Sequence, residues 1–402
     1  MTRRASHALL LAGTLTLGAC SNEPLVFPDW QLPVAEGTRV IGHGAIPDVD
    51  RSSEVALERD LVITEAFGRP LYEPNDVAVA DDGVMFVLDR GNSRIVAFDP
   101  DGEPLYEFGA EGQGPGEFSY PRHLAMVGDI LVVNDQGNSR FSLFDRDGTH
   151  LRDHRLRQPI NSFEARGAGD EIVIFRYEPA GEQPTDRGPP ITDWIVSRHA
   201  LNGDELHTAL RFRGRDSVYF VKGTWQGSVP LAGPHPVGTI GRDGGAFFST
   251  GVHYQVHAFD PEGSPKWALR VSYEPEVPSE ADKRAAADIL SALWDEMMPG
   301  LNITDDDIHW PVGYPAIEAL RVDGHGNLYA FPFTGRGVNP RNNRSGPFPV
   351  DVYSPTGERR FAGFIGIDSW QAALGDHLYR IETDPETAEQ VVARYRIVQP
   401  FQ

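Results

Sequence analysis

The chain has 402 residues, with 36 Lys and Arg against 58 Asp and Glu, 40% hydrophobic residues and a single cysteine. A net charge of −22 at pH 7 argues against nucleic acid or an anionic membrane surface as a broad partner, and one cysteine excludes an internal disulfide, a multi-cysteine zinc site and an iron–sulfur cluster. With 23% charged and 10% aromatic residues the composition is that of a folded protein, long enough for two or three ordinary domains or one large repeat array.

Residues 1–19 begin with Arg3 and Arg4, continue through Leu9, Leu10, Leu11, Leu15 and Leu17, and end in Gly18-Ala19. A basic start, a short apolar middle and small residues at the end make a secretory signal, too short to span a bilayer as a stable helix. Leu17-Gly18-Ala19-Cys20 resembles the lipobox of bacterial lipoproteins. The resemblance implies cleavage before Cys20, a diacylglycerol on its sulfur and usually an acylated amine, and two or more acyl chains give stable anchoring. An ordinary signal with a chance cysteine is the bland alternative. On the lipobox reading, residues 20–56 are a lipid anchor and tether, and residues 57–402 form the domain. The protein then sits in the cell envelope, facing the periplasm or the exterior. Ser21 resembles the sorting pattern for the outer membrane in some Gram-negative bacteria.

Asp89-Arg90-Gly91-Asn92-Ser93-Arg94-Ile95 returns as Asp135-Gln136-Gly137-Asn138-Ser139-Arg140-Phe141, and both copies run on into a Phe-Asp and an Asp-Gly turn. The offset is 46 residues, and short strands with turn chemistry between them fill each unit. Four strands in such a period is the size of a β-propeller blade. The two units resemble the NHL repeat, with Phe108-Gly109 closing the first and Pro121 opening the next. Degenerate copies follow, paired at Glu171–Phe175 with Trp194–Ala200, Ala246–Thr250 with Gln255–Asp260, Asn327–Phe331 with Val350–Tyr353, and His377–Glu382 with Gln390–Ile397. The last copy lacks a fourth strand, and Leu57–Gly68 reads as an orphan one. The expected fold is an all-β, six-bladed propeller closed by an amino-terminal strand, with five or seven blades as alternatives.

Insertions fall at joints that emerge on one face of a propeller, its top. These are Arg176–Asp193, Pro332–Pro349 and a predicted amphipathic helix at Ser279–Met298 between blades four and five, with Ser279 as its N-cap. The helix suits either a binding surface or a plug for the channel mouth. Arg336, Arg341 and Arg344 share a loop without acidic residues, which suits a clamp for a small anionic ligand or solvated ion pairs.

Residues that open the inner strands ring a propeller's channel near the top. Here they are Asn75, Asp76, Arg122, His123, Asn161, His235 and Tyr314 or Glu318. Similar folds include peptide-amidating and streptogramin lyases, which use channel histidines; His123 and His235 are the weak metal candidates, short of a three-histidine site. His253 and His257 have helical metal spacing but lie on a predicted strand. Asp305-Asp306-Asp307 lacks an EF-hand continuation and reads as an exposed acidic turn. The favoured function is a non-enzymatic, membrane-anchored binding scaffold for a small anionic ligand or an envelope protein. It has no cofactor beyond the lipid on Cys20 and no nucleic-acid partner. The alternative is a metal-dependent lyase or lactone hydrolase with a divalent metal in the channel.

Overall fold

The computed structural model describes residues 38–43, 53–155, 163–168, 171–179, 191–201, 205–215, 219–222, 225–228, 236–251, 253–273, 277–295, 300–309, 313–333, 346–384 and 387–398. Cys20 and its preceding signal, Asn161, His235 and the arginines Arg336, Arg341 and Arg344 lie outside the described residues.

The first repeat forms an antiparallel sheet of Pro74–Val79, Met85–Asp89, Arg94–Phe98 and Pro104–Phe108. The second repeats it with Pro121–Val127, Ile130–Asp135, Arg140–Asp145 and His150–Arg155. Every residue of Met85–Asp89 and Arg94–Phe98 is buried. Both sides of these middle strands face another sheet, so they read as apolar runs without alternation. Four more sheets follow, their first strands being Phe163–Ala168, Val237–Ile240, Ile317–Val322 and Ala372–Leu374. First strands of successive sheets pack side by side from the first to the fifth, the fifth and sixth meet through Tyr329 and Leu378, and the sixth sheet returns to the first. The result is six blades around a channel. The core lies between blades: Val79, Met85 and Val96 meet Tyr379 and Val392, while Phe86, Leu88 and Ile95 meet Phe118, Leu131 and Phe144.

The recurring Asp-x-x-Asn-x-Arg segment explains how a blade holds the loop that enters it. Asp89 is fully buried; its Oδ1 accepts from the Tyr72 amide at 2.7 Å, and its Oδ2 accepts from Asn92 Nδ2 at 2.8 Å and Arg94 Nε at 2.6 Å. Asp135 does the same with the Ser119 amide at 2.8 Å, Asn138 Nδ2 at 2.6 Å and Arg140 Nε at 3.0 Å. Gly91 and Gly137 let the entering backbone lie against this turn. A Cβ on them would come within 2.6 Å of the Tyr72 carbonyl oxygen and 2.1 Å of the Ser119 one.

The amino-terminal side departs from the sequence reading. Leu57–Ile63 pairs antiparallel with Gln390–Ile397 as the outer strand of the sixth sheet. Phe67-Gly68, taken as the end of that strand, instead turns a small hairpin between Glu65–Ala66 and Arg69–Pro70. Residues 20–56 were expected to be a tether, yet two strands lie inside them. Arg39–His43 runs parallel to Pro265–Val271 of the fourth blade, and Glu54–Val55 runs parallel to Arg359–Ile365 of the fifth. A fifth strand on a rim pairs along one edge and faces water, so it carries little hydrophobic pattern; Val40 is 49% exposed.

The predicted helix spans Glu280–Asp295 in the described residues. Ser279 and Asp282 cap it reciprocally, the Asp282 amide donating to Ser279 Oγ at 3.2 Å and the Ser279 amide to Asp282 Oδ2 at 3.0 Å. Among the described side chains Ala287 and Leu290 are its buried positions, and Ser291 Oγ ties it to Ile303. The hairpin Tyr219–Lys222 and Trp225–Ser228, between blades three and four, pairs with Ile308–His309 from the next connection. Lys222 Nζ donates to Asp307 at 2.6 Å across this join, which accounts for one residue of the acidic triplet. The strands Glu171–Pro179 and Ile191–Ala200 extend into the stretch expected to be an insertion. No helix among the described residues is long and apolar enough to cross a membrane.

Asp89→Ala would remove the fully buried carboxylate from the Arg94 guanidinium, 2% exposed, leaving Glu107 on the outer strand to pair with it, and would take the acceptor from the Tyr72 amide and Asn92. We expect a loss of about 3–5 kcal/mol in unfolding free energy by chemical denaturation. Exposed Asp101→Ala, in the neighbouring turn, should change stability by less than about 0.5 kcal/mol.

Candidate functional site

The channel has two mouths with different chemistry. At the top, where inner strands begin, four residues selected from the sequence come together. Asp76, 7% exposed, accepts from the Val77 amide on Oδ1 and the Leu124 amide on Oδ2, both at 2.9 Å. His123 Nδ1 lies 3.5 Å from Asp76 Oδ2, and Asn75 Nδ2 donates to the Arg122 carbonyl. Asn75, Asp76 and the backbone of Arg122 and Leu124 thus lock the inner strand of blade one to that of blade two. This is channel lining.

The Arg122 side chain does something else. Its Nη1 donates to the Tyr120 hydroxyl at 3.0 Å, and its guanidinium carbon stands 5.4 Å from the Tyr120 ring centroid. Arg90 stands over the same ring at 5.2 Å. Two guanidinium groups on one aromatic ring is a cation–π arrangement at a largely exposed site, Tyr120 being 53% exposed. Buried Arg122 Nε has no partner among the described residues. Tyr120 is held in the left-handed region at φ 60°, as is Glu73 at φ 49°, and each precedes the proline that opens an inner strand. Glu73 pairs with Arg90 at 2.9 Å. This basic and aromatic patch belongs to blades one and two.

The other mouth holds a cavity of about 330 Å³, where the inner strands end. Val77, Leu124, Ile240, Val322 and Trp370 supply apolar wall, and Asp81, Thr239, Arg242, Arg321 and Asp323 supply polar groups. Arg242 pairs with Asp81 and donates to the Ala373 carbonyl at 3.4 Å. Arg321 Nη1 donates to the Leu320 carbonyl at 2.8 Å. Asp323, 3% exposed, organises its own turn, accepting from the amides of His325 and Asn327 at 2.9 Å each. Burial pushes its carboxyl above the ordinary carboxylate range against those donors.

Other sequence candidates find structural work. Tyr314 is buried with its ring 5.0 Å from Phe333, and Glu318 lies half-buried on the inner strand of blade five. Asp282 is held below the ordinary carboxylate range by the Ser279 hydroxyl and amide, with Tyr314 adding to them. Among the described residues no group of three or more His, Cys, Asp or Glu is placed to hold a metal ion. Arg90 and Tyr120 escaped the sequence reading, as did Arg242 and Arg321. The first two lie in loops about 30 residues apart, and the others lie in degenerate copies.

These blades around a channel define a β-propeller. A family model described as a 6-bladed beta-propeller matches residues 69–163, the two clear repeats and their sequel. No curated protein matches the chain. Among solved structures, a member of the duf4221 family from Bacteroides vulgatus is similar at a TM-score of 0.52 and 11% identity, covering 85% of this chain and 99% of that one. Virginiamycin B lyase from Staphylococcus aureus, solved as an inactive variant with quinupristin, has a TM-score of 0.40 at 11% identity and covers 85% of this chain and 99% of that one. A regucalcin from Agrobacterium tumefaciens, a calcium-binding protein, has a TM-score of 0.40 at 9% identity, with 85% and 95% covered.

His257 provides a pH test of the described structure. It lies on the strand Gln255–Phe259, 6% exposed, with its ring beside Gln255 Nε2 at 2.7 Å. Burial, aided by the Arg270 charge, lowers its pKa from 6.5 to about 4. The neutral ring accepts a hydrogen bond from Gln255 Nε2. The imidazole of the unfolded chain takes up its proton first as pH falls, so the stability it contributes is present above 6.5 and lost on the way down to about 4. The loss is about 3 kcal/mol. His257→Gln should flatten the fall in melting temperature over that window.

Proposed function

We propose that the protein is a lipid-anchored, extracytoplasmic scaffold, built from NHL-like blades, that binds an anionic group of a ligand or envelope protein on its top face without catalysis. On this reading the signal is removed before Cys20, the acylated cysteine holds the protein on a bacterial membrane, and Leu57–Ile63 closes the ring. A rigid closed ring keeps surface loops in fixed relative positions, which suits a binding platform. The observation that carries the reading is the Tyr120 ring beneath Arg90 and Arg122, a cationic patch on a chain of net charge −22. Anionic groups are drawn to such a patch and repelled by most of the remaining surface. Asn75 and His123 border it.

Two measurements test this reading. In the native host, labelled palmitate should enter the full chain and not Cys20→Ser, which should leave the membrane fraction. Crosslinking in intact envelopes should give discrete adducts with the natural chain that fade in the Arg90→Ala, Tyr120→Ala, Arg122→Ala triple variant. Equal labelling of Cys20→Ser would remove the anchor, and an unchanged adduct pattern would remove the top-face site.

A further inference from the structure

On the reading that the top face is the binding surface, we infer that its ligand is an acidic polysaccharide of the uronate kind, a run of sugar rings each carrying one carboxylate. The surface is larger than the Tyr120 ring. Tyr72, 59% exposed, lies against Gly91, where a Cβ would come within 2.2 Å of its ring. Gly91 follows Arg90, whose guanidinium stands 5.2 Å from the centroid of the exposed Tyr120 ring. Two open tyrosine rings therefore flank the Arg90-Gly91 step.

Both tyrosines are held by the scaffold. The Tyr72 amide donates to buried Asp89 at 2.7 Å, and the Tyr120 hydroxyl accepts from Arg122 Nη1 at 3.0 Å. An exposed ring already fixed in place loses little freedom when an apolar face covers it. The C–H face of a sugar ring is such a face. Because both rings are open to solvent, the ligand lies along the surface, and a chain of repeated sugars can cover both at once.

The charges narrow the sugar to an acidic one. Arg90 pairs with Glu73 at 2.9 Å, so these two charges cancel. Arg122 gives one hydrogen to Tyr120 and meets no carboxylate among the described residues, which leaves one positive charge for one carboxylate. Glu73 uses Oε2 on Arg90, and its Oε1 is left to accept from sugar hydroxyls. The second charge of a phosphate would be repelled by the same group. An acidic peptide brings carboxylates without the flat C–H face, and a neutral glycan brings the face without the carboxylate. With a net charge of −22, the chain repels the remainder of a polyanion, so this platform must supply the attraction.

The test is calorimetric titration of the detergent-solubilised full chain with pentamers of galacturonate and mannuronate, set against their methyl esters and pentaglutamate. At least one uronate pentamer should bind saturably, with its methyl ester and pentaglutamate weaker by about tenfold or more. Arg122→Gln should weaken the uronate to the level of its ester. Tyr72→Ala, which leaves every charge in place, should weaken the uronate by about fivefold and leave pentaglutamate unchanged. It is the deciding variant if thermal melting shows Arg122→Gln to be unfolded. Arg146→Gln removes a positive charge that pairs with Asp82 at the opposite face, and it should bind like the natural chain. Saturable binding of neither uronate up to millimolar concentration overturns the inference. So does equal affinity for acid and ester, or an equal loss in Arg146→Gln and Arg122→Gln. Envelope adducts that still fade in the triple variant would then keep the top-face site for another ligand, whereas an unchanged adduct pattern would remove both.

Discussion

The carboxylate of Asp89, repeated as Asp135, is the constraint on which the clear blades depend. Each gathers an amide from the entering loop, an Asn amide from its own turn and an Arg from the third strand. The Arg in turn reaches the outer strand, Arg94 to Glu107 and Arg140 to Asp153. One buried ion pair thus ties the connector, the middle strands and the rim into a unit. Burying these charges is tolerable because the carboxylate and guanidinium find so many partners. The left-handed Ser93 and Ser139, both at φ 51°, recur with it, so that backbone strain belongs to the scaffold rather than to a site.

With the blades held this way, the polar residues at the top divide into two groups. Asp76 and Asn75 are spent joining neighbouring inner strands, and they stabilise the ring at the point where a ligand-binding ring would have used them. Arg122 is divided within itself, its carbonyl serving the scaffold and its guanidinium serving the patch at Tyr120. At the opposite mouth Val77, Leu124, Ile240, Val322 and Trp370 make an apolar wall, and Asp81, Arg242, Arg321 and Asp323 set charges of both signs into it. The two mouths are chemically distinct although the same six strands build both.

The parts legible in the sequence were those written in turn chemistry. The Asp-Gly turns and the Asp-x-x-Asn-x-Arg segments announced two blades, and their period implied the rest. Leu57–Ile63 could be foreseen as a partner for Gln390–Ile397 because the last copy lacked a strand. Arg39–His43 and Glu54–Val55 could not, since a rim strand needs neither alternation nor a turn of its own. For the site, Asn75, Asp76, Arg122 and His123 were visible because they open strands whose register the repeat fixes. Arg321 was not, because blade five lacks the motif that anchors such a count. Tyr120 and Arg90 became neighbours only through the fold.

The pairing of Leu57 with Ile397 bears on how the protein is made. Synthesis delivers Leu57–Ile63 before any residue of its partner exists, because that partner lies far downstream in the chain. Through that interval the strand is an open edge, the kind of element that recruits foreign strands. Its middle, Glu58-Arg59-Asp60, carries three charges in a row. In the finished sheet they meet Arg396, Glu382 and Arg394 on the same two strands or beside them. The same side chains therefore act as a guard while the strand waits and as a selection rule when it pairs, since a partner strand that set like charges against them would be repelled.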